Sequence, residues 1–495
     1  LPVTHCDLPV DLYDAAAVRA LDRLAIDEFH ISGADLMERA GGAVFEILRQ
    51  RWPQAHSITV VCGTGKNGGD GFVVARRAHQ AGLQVSALLV GDRQQVSGDA
   101  HHHLTACEAA GVKLGAFSDR IPAGTELVVD ALFGTGLTRA VKGVQAQAIA
   151  AMNDSGRPII AVDIPSGVNA DTGARMGVAV RADATVTFIG MKQGLLTGDA
   201  RDLTGVIGFA DLDVPAGVYA RVKPTAQRVD RQRLLGLLPR RARTGHKGNY
   251  GHVLVIGGER GYAGAVRMAG EAAARVGAGL VSIATRAEHA AMIAAGCPVL
   301  MCHGVADVDA LSPLIALASV IAIGPGLGRS GWAQALLARV LECRQPLVVD
   351  ADALNLIAEE PIEHTEWILT PHPGEAARLL ECTVAAVQTD RFAAAQQIQQ
   401  RYGGVCVLKG AGTIVADADF IAMCNAGNPG MGSGGMGDIL TGIIAGLLAQ
   451  GMSAGDAARL GVCLHAEAGD AAATDGERGL IATDLLPWLR RLNNA

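Results

Sequence analysis

Aromatic residues make up only 4% of the chain and charged residues 18%, and neither sign gathers into a run. Its cores must therefore be assembled from Ala, Val, Leu and Ile. With no basic stripe to offer, neither nucleic acid nor an anionic membrane surface is expected as a partner. No apolar stretch approaches the roughly 20 residues that would span a bilayer, so no membrane partner is expected. Leu1 to Asp11 carries no basic segment followed by an apolar one, and no signal peptide is expected. The ten cysteines include no C-x-x-C pair and no short metal-like spacing. Reduced thiols are expected, Cys297 and Cys302 in the core among them, and the cytoplasm is the expected compartment. His101-His102-His103 reads as a solvated helix segment rather than a metal tract.

Glycine, by contrast, is abundant, at 63 of 495 residues, and 49% of the chain is apolar. That length suits two sizeable domains, and the glycine suits loops that approach phosphates closely. Asp14 is placed to cap a helix that presents Val18, Leu21, Leu24 and Ala25 on one face. Strand-like runs then alternate with helical ones: Ser57 to Cys62, Val85 to Val90, Leu127 to Ala131, Ile159 to Val162, Thr185 to Ile189 and Val206 to Phe209. The alternation breaks in an arginine-rich stretch with Pro224 and Pro239, and restarts at Val253 to Ile256. Strands separated by helices predict an α/β fold with mostly parallel sheets. Two domains are expected, residues 1–223 and 224–495.

The first informative segment is Cys62-Gly63-Thr64-Gly65-Lys66-Asn67-Gly68-Gly69-Asp70-Gly71. A strand runs into a glycine-dense turn that opens a helix at about Gly71. The glycines permit positive φ, and free amides at the helix start suit a phosphate. No G-K-[ST] follows, so it is not a P-loop. Two further strand ends carry an aspartate, Val128-Val129-Asp130-Ala131-Leu132-Phe133-Gly134 and Val162-Asp163-Ile164-Pro165-Ser166. Ligands of open parallel sheets sit beyond the carboxyl ends of strands. Asn67, Asp130, Asp163 and Ser166 are expected to converge on one crevice, with oxygens that suit a hard cation.

These segments, with Leu36-Met37-Glu38-Arg39-Ala40-Gly41, resemble the NAD(P)H-hydrate epimerase domain over about residues 10 to 215. The resemblance implies that Lys66, Asn67, Gly68, Gly69 and Asp70, with Gly134, Thr135, Gly136, Leu137, Thr138, Arg139 and Ala140, hold the hydrated nucleotide. It places a potassium ion on Asn67, Asp130 and Ser166, and Asp163 beside the reacting carbon as a catalytic group. The family commonly has Asn where Lys66 stands.

In the second half, Asn428-Pro429-Gly430-Met431-Gly432-Ser433-Gly434-Gly435-Met436-Gly437-Asp438 runs directly into an apolar helix. Successive amides there can form an anion hole, and an Asp at the helix mouth can take a hydroxyl proton. The segment resembles the ribokinase-like superfamily signature. With His246 to Gly251, Thr370 to Glu375 and Lys409 to Thr413 it is similar to ADP-dependent NAD(P)H-hydrate dehydratase, over about residues 230 to 490. The expected folds are thus a Rossmann-like parallel sheet flanked by helices, then a ribokinase-like α/β/α domain. The resemblance implies that Lys409, Gly410, Ala411, Gly412 and Thr413 hold the nucleotide phosphates beside Gly437. Asp438 would be the base and contact the hydrate, with Ala265, Gly326 and His372 lining its pocket. Asn355 and Glu375 would lie near the metal and phosphates. Met436 stands where the family usually has Thr.

The implied chemistry has two steps. Water added across the nicotinamide 5,6 bond of NADH or NADPH gives NADHX or NADPHX, in S and R forms at C6. The first domain would interconvert the epimers with K+ bound. The second would phosphorylate the C6 hydroxyl of the S form from ADP, with Mg2+. Loss of phosphate then restores NAD(P)H, leaving AMP and phosphate. A homo-oligomer is the expected assembly. The rival readings are a ribokinase-type, ATP-dependent small-molecule kinase with an accessory nucleotide-binding domain, and a nucleotide-binding scaffold.

Overall fold

The computed structural model describes the backbone of residues 3–4 and all of residues 8–494. Much of the segment in which no signal peptide is expected lies outside them. The chain divides into two compact units, Leu1–Gln227 and Arg228–Ala495.

In the first unit the strand order runs Val3–Thr4, Val206–Ala210, Ala184–Phe188, Ile159–Val162, Leu127–Ala131, Ser57–Cys62, Gln84–Leu89, Leu114–Ala116. Only the first pairing is antiparallel. Chain order reverses between Ser57–Cys62 and Leu127–Ala131, so the loops after these two strands part and open a crevice. Every residue of Leu127–Ala131 is buried, as befits a strand covered on both faces. Asp14 caps its helix as expected, accepting from the Ala17 amide at 2.7 Å.

The second unit orders its strands Met301–Gly304, Leu280–Thr285, His252–Ile256, Val320–Ile323, Leu347–Val349, Trp367–Leu369, Val405–Leu408, Thr413–Ala416, Ile421–Cys424. Pairing is parallel up to Val405–Leu408 and antiparallel beyond it. Helix Met436–Ala449 lies against helix Ala263–Val276 so closely that a Cβ on Gly442 would stand 2.0 Å from the Ala269 carbonyl oxygen.

Several expectations need correction. The helix expected from Gly71 begins at Lys66, so the glycine-dense turn is the start of helix Lys66–Gln80. None of Gly63, Gly65, Gly68, Gly69 and Gly71 has positive φ. Close approach is what most of them provide: a Cβ on Gly68 would meet the Gly63 carbonyl oxygen at 1.9 Å, and one on Gly71 the Ala131 Cβ at 2.5 Å. The histidine triplet lies in helix Gly98–Ala109, but only His101 and His102 are exposed. His103 is buried, its Nε2 3.0 Å from the Ala34 carbonyl oxygen. Cys297 is buried, whereas Cys302 is half-buried on the edge strand.

Candidate functional site

The crevice of the first unit is a cavity of 680 Å³, within the roughly 300–1,000 Å³ usual for small-molecule sites. Lys66, Asn67, Asp70, Gly134, Thr135, Gly136, Leu137, Thr138, Arg139 and Asp163 all line it. Gly68 and Gly69 are buried behind it, and Ala140 is exposed beyond its rim.

Asp163 follows strand Ile159–Val162 directly and adopts φ 68, a left-handed conformation costly for a residue with a Cβ. Its Oδ1 accepts from the Lys192 ammonium at 2.6 Å and the Thr187 hydroxyl at 3.2 Å. Asp163 Oδ2 and Asn67 Oδ1 both come within 3.4 Å of the place a Gly134 Cβ would occupy, so the two side chains converge across that loop. Lys192 is buried and also donates to the Phe188 carbonyl at 2.8 Å. Sequence reasoning missed it, although a single lysine in the apolar run Phe188 to Leu196 was a usable signal. It missed Asp22 too, which reaches the cavity from helix Ala15–Asp27. Burial raises the Asp22 carboxyl, and it pushes that of Asp70 well above the carboxylate range, with Asp163 and Asp22 adding to the Asp70 shift.

Asp130 and Ser166 do not line the cavity; they lie beneath its Phe133 loop. Asp130 is fully buried and accepts from the Ser166 amide at 2.7 Å, the Ser166 hydroxyl at 2.6 Å and the Leu132 amide at 3.3 Å. Burial raises its carboxyl to about 6 despite those bonds. The Phe133 amide donates to Ser166 Oγ at 2.8 Å, and Asn67 Nδ2 donates to the Phe133 carbonyl at 2.9 Å. Asn67 and Ser166 thus meet at Phe133, and Asp130 joins them through Ser166.

In the second unit the expected residues again sit at strand ends. Lys409 follows Val405–Leu408, and Asp350 follows Leu347–Val349. The Lys409 ammonium donates to Asp350 Oδ1 at 2.6 Å, and the Thr441 hydroxyl to Asp350 Oδ2 at 2.8 Å. Burial opposes ionisation of Asp350, but Lys409 and the hydrogen bonds outweigh it and hold the carboxyl below its usual range. A Cβ on Gly437 would stand 3.2 Å from Lys409 Nζ and 3.5 Å from Asp350 Oδ2. The helix mouth and the lysine loop therefore close on one spot. Asp438, in the first turn of helix Met436–Ala449, has its carboxyl raised to about 7 by burial, then by Asp350 and Asp352 against the pull of Lys409. Gly435 caps that helix at φ 89, where glycine is needed.

A Cβ on Gly326 would stand 3.2 Å from that of Ala265, which brings these two expected residues together. His372 caps helix Pro373–Leu379. Its Nδ1 accepts from the Gly374 amide at 2.9 Å, and its Nε2 lies 3.3 Å from Glu375 Oε1. Glu375 stands 3.9 Å from Lys409. Asn355 instead accepts from Arg378 at 2.8 Å.

Comparison with known proteins covers nearly the whole chain. The family described as NAD(P)H-hydrate dehydratase matches residues 253–491, and that described as YjeF-related protein N-terminus matches 33–194. A ribokinase-like superfamily protein of Enterococcus faecalis, of known structure, is 32% identical at a TM-score of 0.51, covering 54% of this chain and 95% of its own. A bifunctional NAD(P)H-hydrate repair enzyme of Coxiella burnetii is 50% identical, covering 98% of this chain and 99% of its own. Its counterpart in Escherichia coli is 45% identical over 98% and 95%. Two units with the expected folds, matched end to end by such relatives, place the chain in the family of bifunctional NAD(P)H-hydrate repair enzymes.

Proposed function

We propose that the unit Leu1–Gln227 interconverts R- and S-NAD(P)HX, and that Arg228–Ala495 dehydrates the S epimer with ADP. The observation that carries this reading is Asp438: a carboxyl at about 7, in the first turn of a helix that closes on Lys409. A base poised near neutrality can take a hydroxyl proton as the oxygen attacks phosphorus. The C6 oxygen of S-NAD(P)HX attacks the β-phosphorus of ADP, Asp438 takes its proton, and AMP departs. The C6–O bond then breaks, phosphate leaves, and loss of the C5 proton restores the 5,6 double bond. Lys409 and the amides of Gly410 to Thr413 hold the phosphates, while Ala265, Gly326 and His372 border the hydrate.

In the first unit the C6 hydroxyl leaves as water and returns on the other face. The Lys192 ammonium supplies the proton, the Asp163 carboxylate steadies the ring cation, and addition of water returns the proton. A potassium ion fits beneath this site. Asp130 is a buried carboxylate bonded to neutral donors only, and Asn67, Ser166 and the Phe133 carbonyl add neutral oxygens, a hard-donor set with one charge. When bound, the ion neutralises Asp130 and ties three strand-end loops together. No group of three or more His, Cys, Asp or Glu side chains arranged for a metal occurs among the described residues. Mg2+ therefore fits as an ion carried by the nucleotide phosphates.

The test mixes the protein with separated R- and S-NADHX and follows the absorbance of the reduced ring. With ADP, both epimers should return to NADH, R lagging behind S. Without ADP, the epimers should interconvert and no NADH should form. Release of a stable phosphoester would instead mark a small-molecule kinase.

A further inference from the structure

Beneath the Lys409–Thr413 loop lies a guanidinium that the chemistry above does not use. Arg391, only 1% exposed, is the first residue of helix Arg391–Tyr402. That place carries two costs. A cation at a helix N-terminus faces the positive end of the macrodipole, and burial draws this guanidinium down to about 10. Its contacts show what offsets them. Nη2 donates to the carbonyls of Leu408 at 3.3 Å, Lys409 at 3.2 Å and Gly412 at 3.4 Å, and Nη1 to Gln388 Oε1 at 2.8 Å.

The three carbonyls belong to the two ends of one loop. A Cβ on Gly410 would stand 3.0 Å from both Nη atoms, so the loop closes directly over the guanidinium, with φ +136 at Gly410 and +69 at Gly412. In a planar trans peptide the C=O and N–H point opposite ways. Drawing the Lys409 carbonyl inward therefore turns the Gly410 amide outward, away from Arg391. The rigid fork holds Nη2 among the three carbonyls while Nη1 is anchored on Gln388, a two-point placement that a flexible ammonium cannot reproduce.

We infer that Arg391 is the positioning residue of the nucleotide loop, its buried guanidinium gathering the carbonyls of Leu408, Lys409 and Gly412 so that the loop is preset for the phosphates of a nucleoside diphosphate. The inference rests on the reading that ADP binds at Lys409–Thr413. Arg391 acts through that loop and touches no substrate.

The experiment measures ADP affinity of the full chain by titration calorimetry, with no hydrate present, for Arg391→Lys, Arg391→Ala and Lys409→Ala. Both Arg391 variants should weaken ADP binding about tenfold to a hundredfold, the scale of lost charge-assisted hydrogen bonds. Their kcat at saturating ADP should stay within about twofold, because the loop acts on binding. Millimolar guanidinium should restore ADP affinity to Arg391→Ala and not to Arg391→Lys, whose ammonium fills the cavity. Millimolar guanidinium lies far below the molar concentrations that denature, so ADP affinity of the wild type in the same salt should not change. Should Arg391→Ala fail to fold, Arg391→Lys decides. If Lys409→Ala weakens ADP binding and a folded Arg391→Lys does not, the role of Arg391 is refuted, as it is if a folded Arg391→Ala shows no guanidinium rescue. If Lys409→Ala leaves ADP affinity intact, the nucleotide loop itself is wrongly placed, and the inference falls with it.

Discussion

A carboxylate that takes a proton at neutral pH must be held back from ionising too early. Asp438 meets that condition because it is buried beside Asp350 and Asp352, with Lys409 only partly offsetting them. Dehydration under saturating ADP should accordingly rise with pH up to about 7 and level off above, since only the ionised form accepts a proton. Asp438→Asn should lower kcat by about a hundredfold to ten-thousandfold and flatten that profile, while ADP binding stays close to normal, because a base acts on the transition state. Near-normal turnover in the variant would reject Asp438 as the base. The glycine string that ends at Asp438 was legible in the sequence because its residues are contiguous. The shifted carboxyl was not, because it depends on Asp350 and Lys409, which other strand ends bring in. Lys192 escaped notice for a similar reason: only the fold brings it to Asp163, across 29 residues of chain.

Among the elements, helix Lys66–Gln80 turns an ordinary rule around. Replacing glycine by alanine inside a helix usually stabilises it by about 1 kcal/mol. At Gly68 the new Cβ would stand 1.9 Å from a backbone oxygen, so Gly68→Ala should cost about 1–3 kcal/mol, as overpacking does. Epimerisation should fall with it, because the helix start lines the cavity. Gly65→Ala meets nothing within 4 Å, and its melting temperature should match that of wild type. Equal melting of the two variants would refute the close-approach argument. The glycine density was legible here, but the positive φ expected of it is absent and close packing within the fold takes its place, since sequence shows flexibility and hides what lies opposite.

Strand Leu127–Ala131 carries a second element-level consequence. Its Asp130 has a folded-state carboxyl raised to about 6 from 3.8. Stability from this group is fully present below the unfolded value and is lost as pH rises through about 6. A bound potassium ion would favour the charged form and recover that loss. Replacing tetramethylammonium by potassium should therefore raise the melting temperature at about pH 8 and change it little at about pH 4, where the carboxyl is protonated. Asp130→Asn should erase the potassium response at every pH and cripple epimerisation, while dehydration of S-NADHX continues. A wild-type melting temperature indifferent to potassium at the higher pH would reduce the site to a capped turn.

For the molecule as a whole, the question is whether the two activities need one chain. Each unit has a run of parallel strands and its own strand-end site, and every residue invoked for one reaction lies in a single unit. The alternation of strands and helices made both sheets legible, and the arginine-rich break made the division legible. Its position was less so. Thr225 donates its amide to the Leu12 carbonyl at 2.9 Å, and Ala226 and Gln227 pair with Leu12 and Asp11. A cut after Lys223 would strip that pairing from the first unit, whereas a cut after Gln227 keeps it. Short end strands carry little hydrophobic pattern, so their pairing cannot be read from sequence. A fragment ending at Gln227 should epimerise NADHX with no nucleotide present. One starting at Arg228 should consume S-NADHX with ADP and leave R-NADHX untouched beyond its spontaneous epimerisation. Mixing the fragments should restore consumption of both epimers, because the shared intermediate is a free metabolite that diffuses between sites. If the second fragment alone consumed both epimers at equal rates, the division of labour would be wrong. If the mixture stalled at half consumption while the intact chain did not, the units would have to pass the hydrate directly.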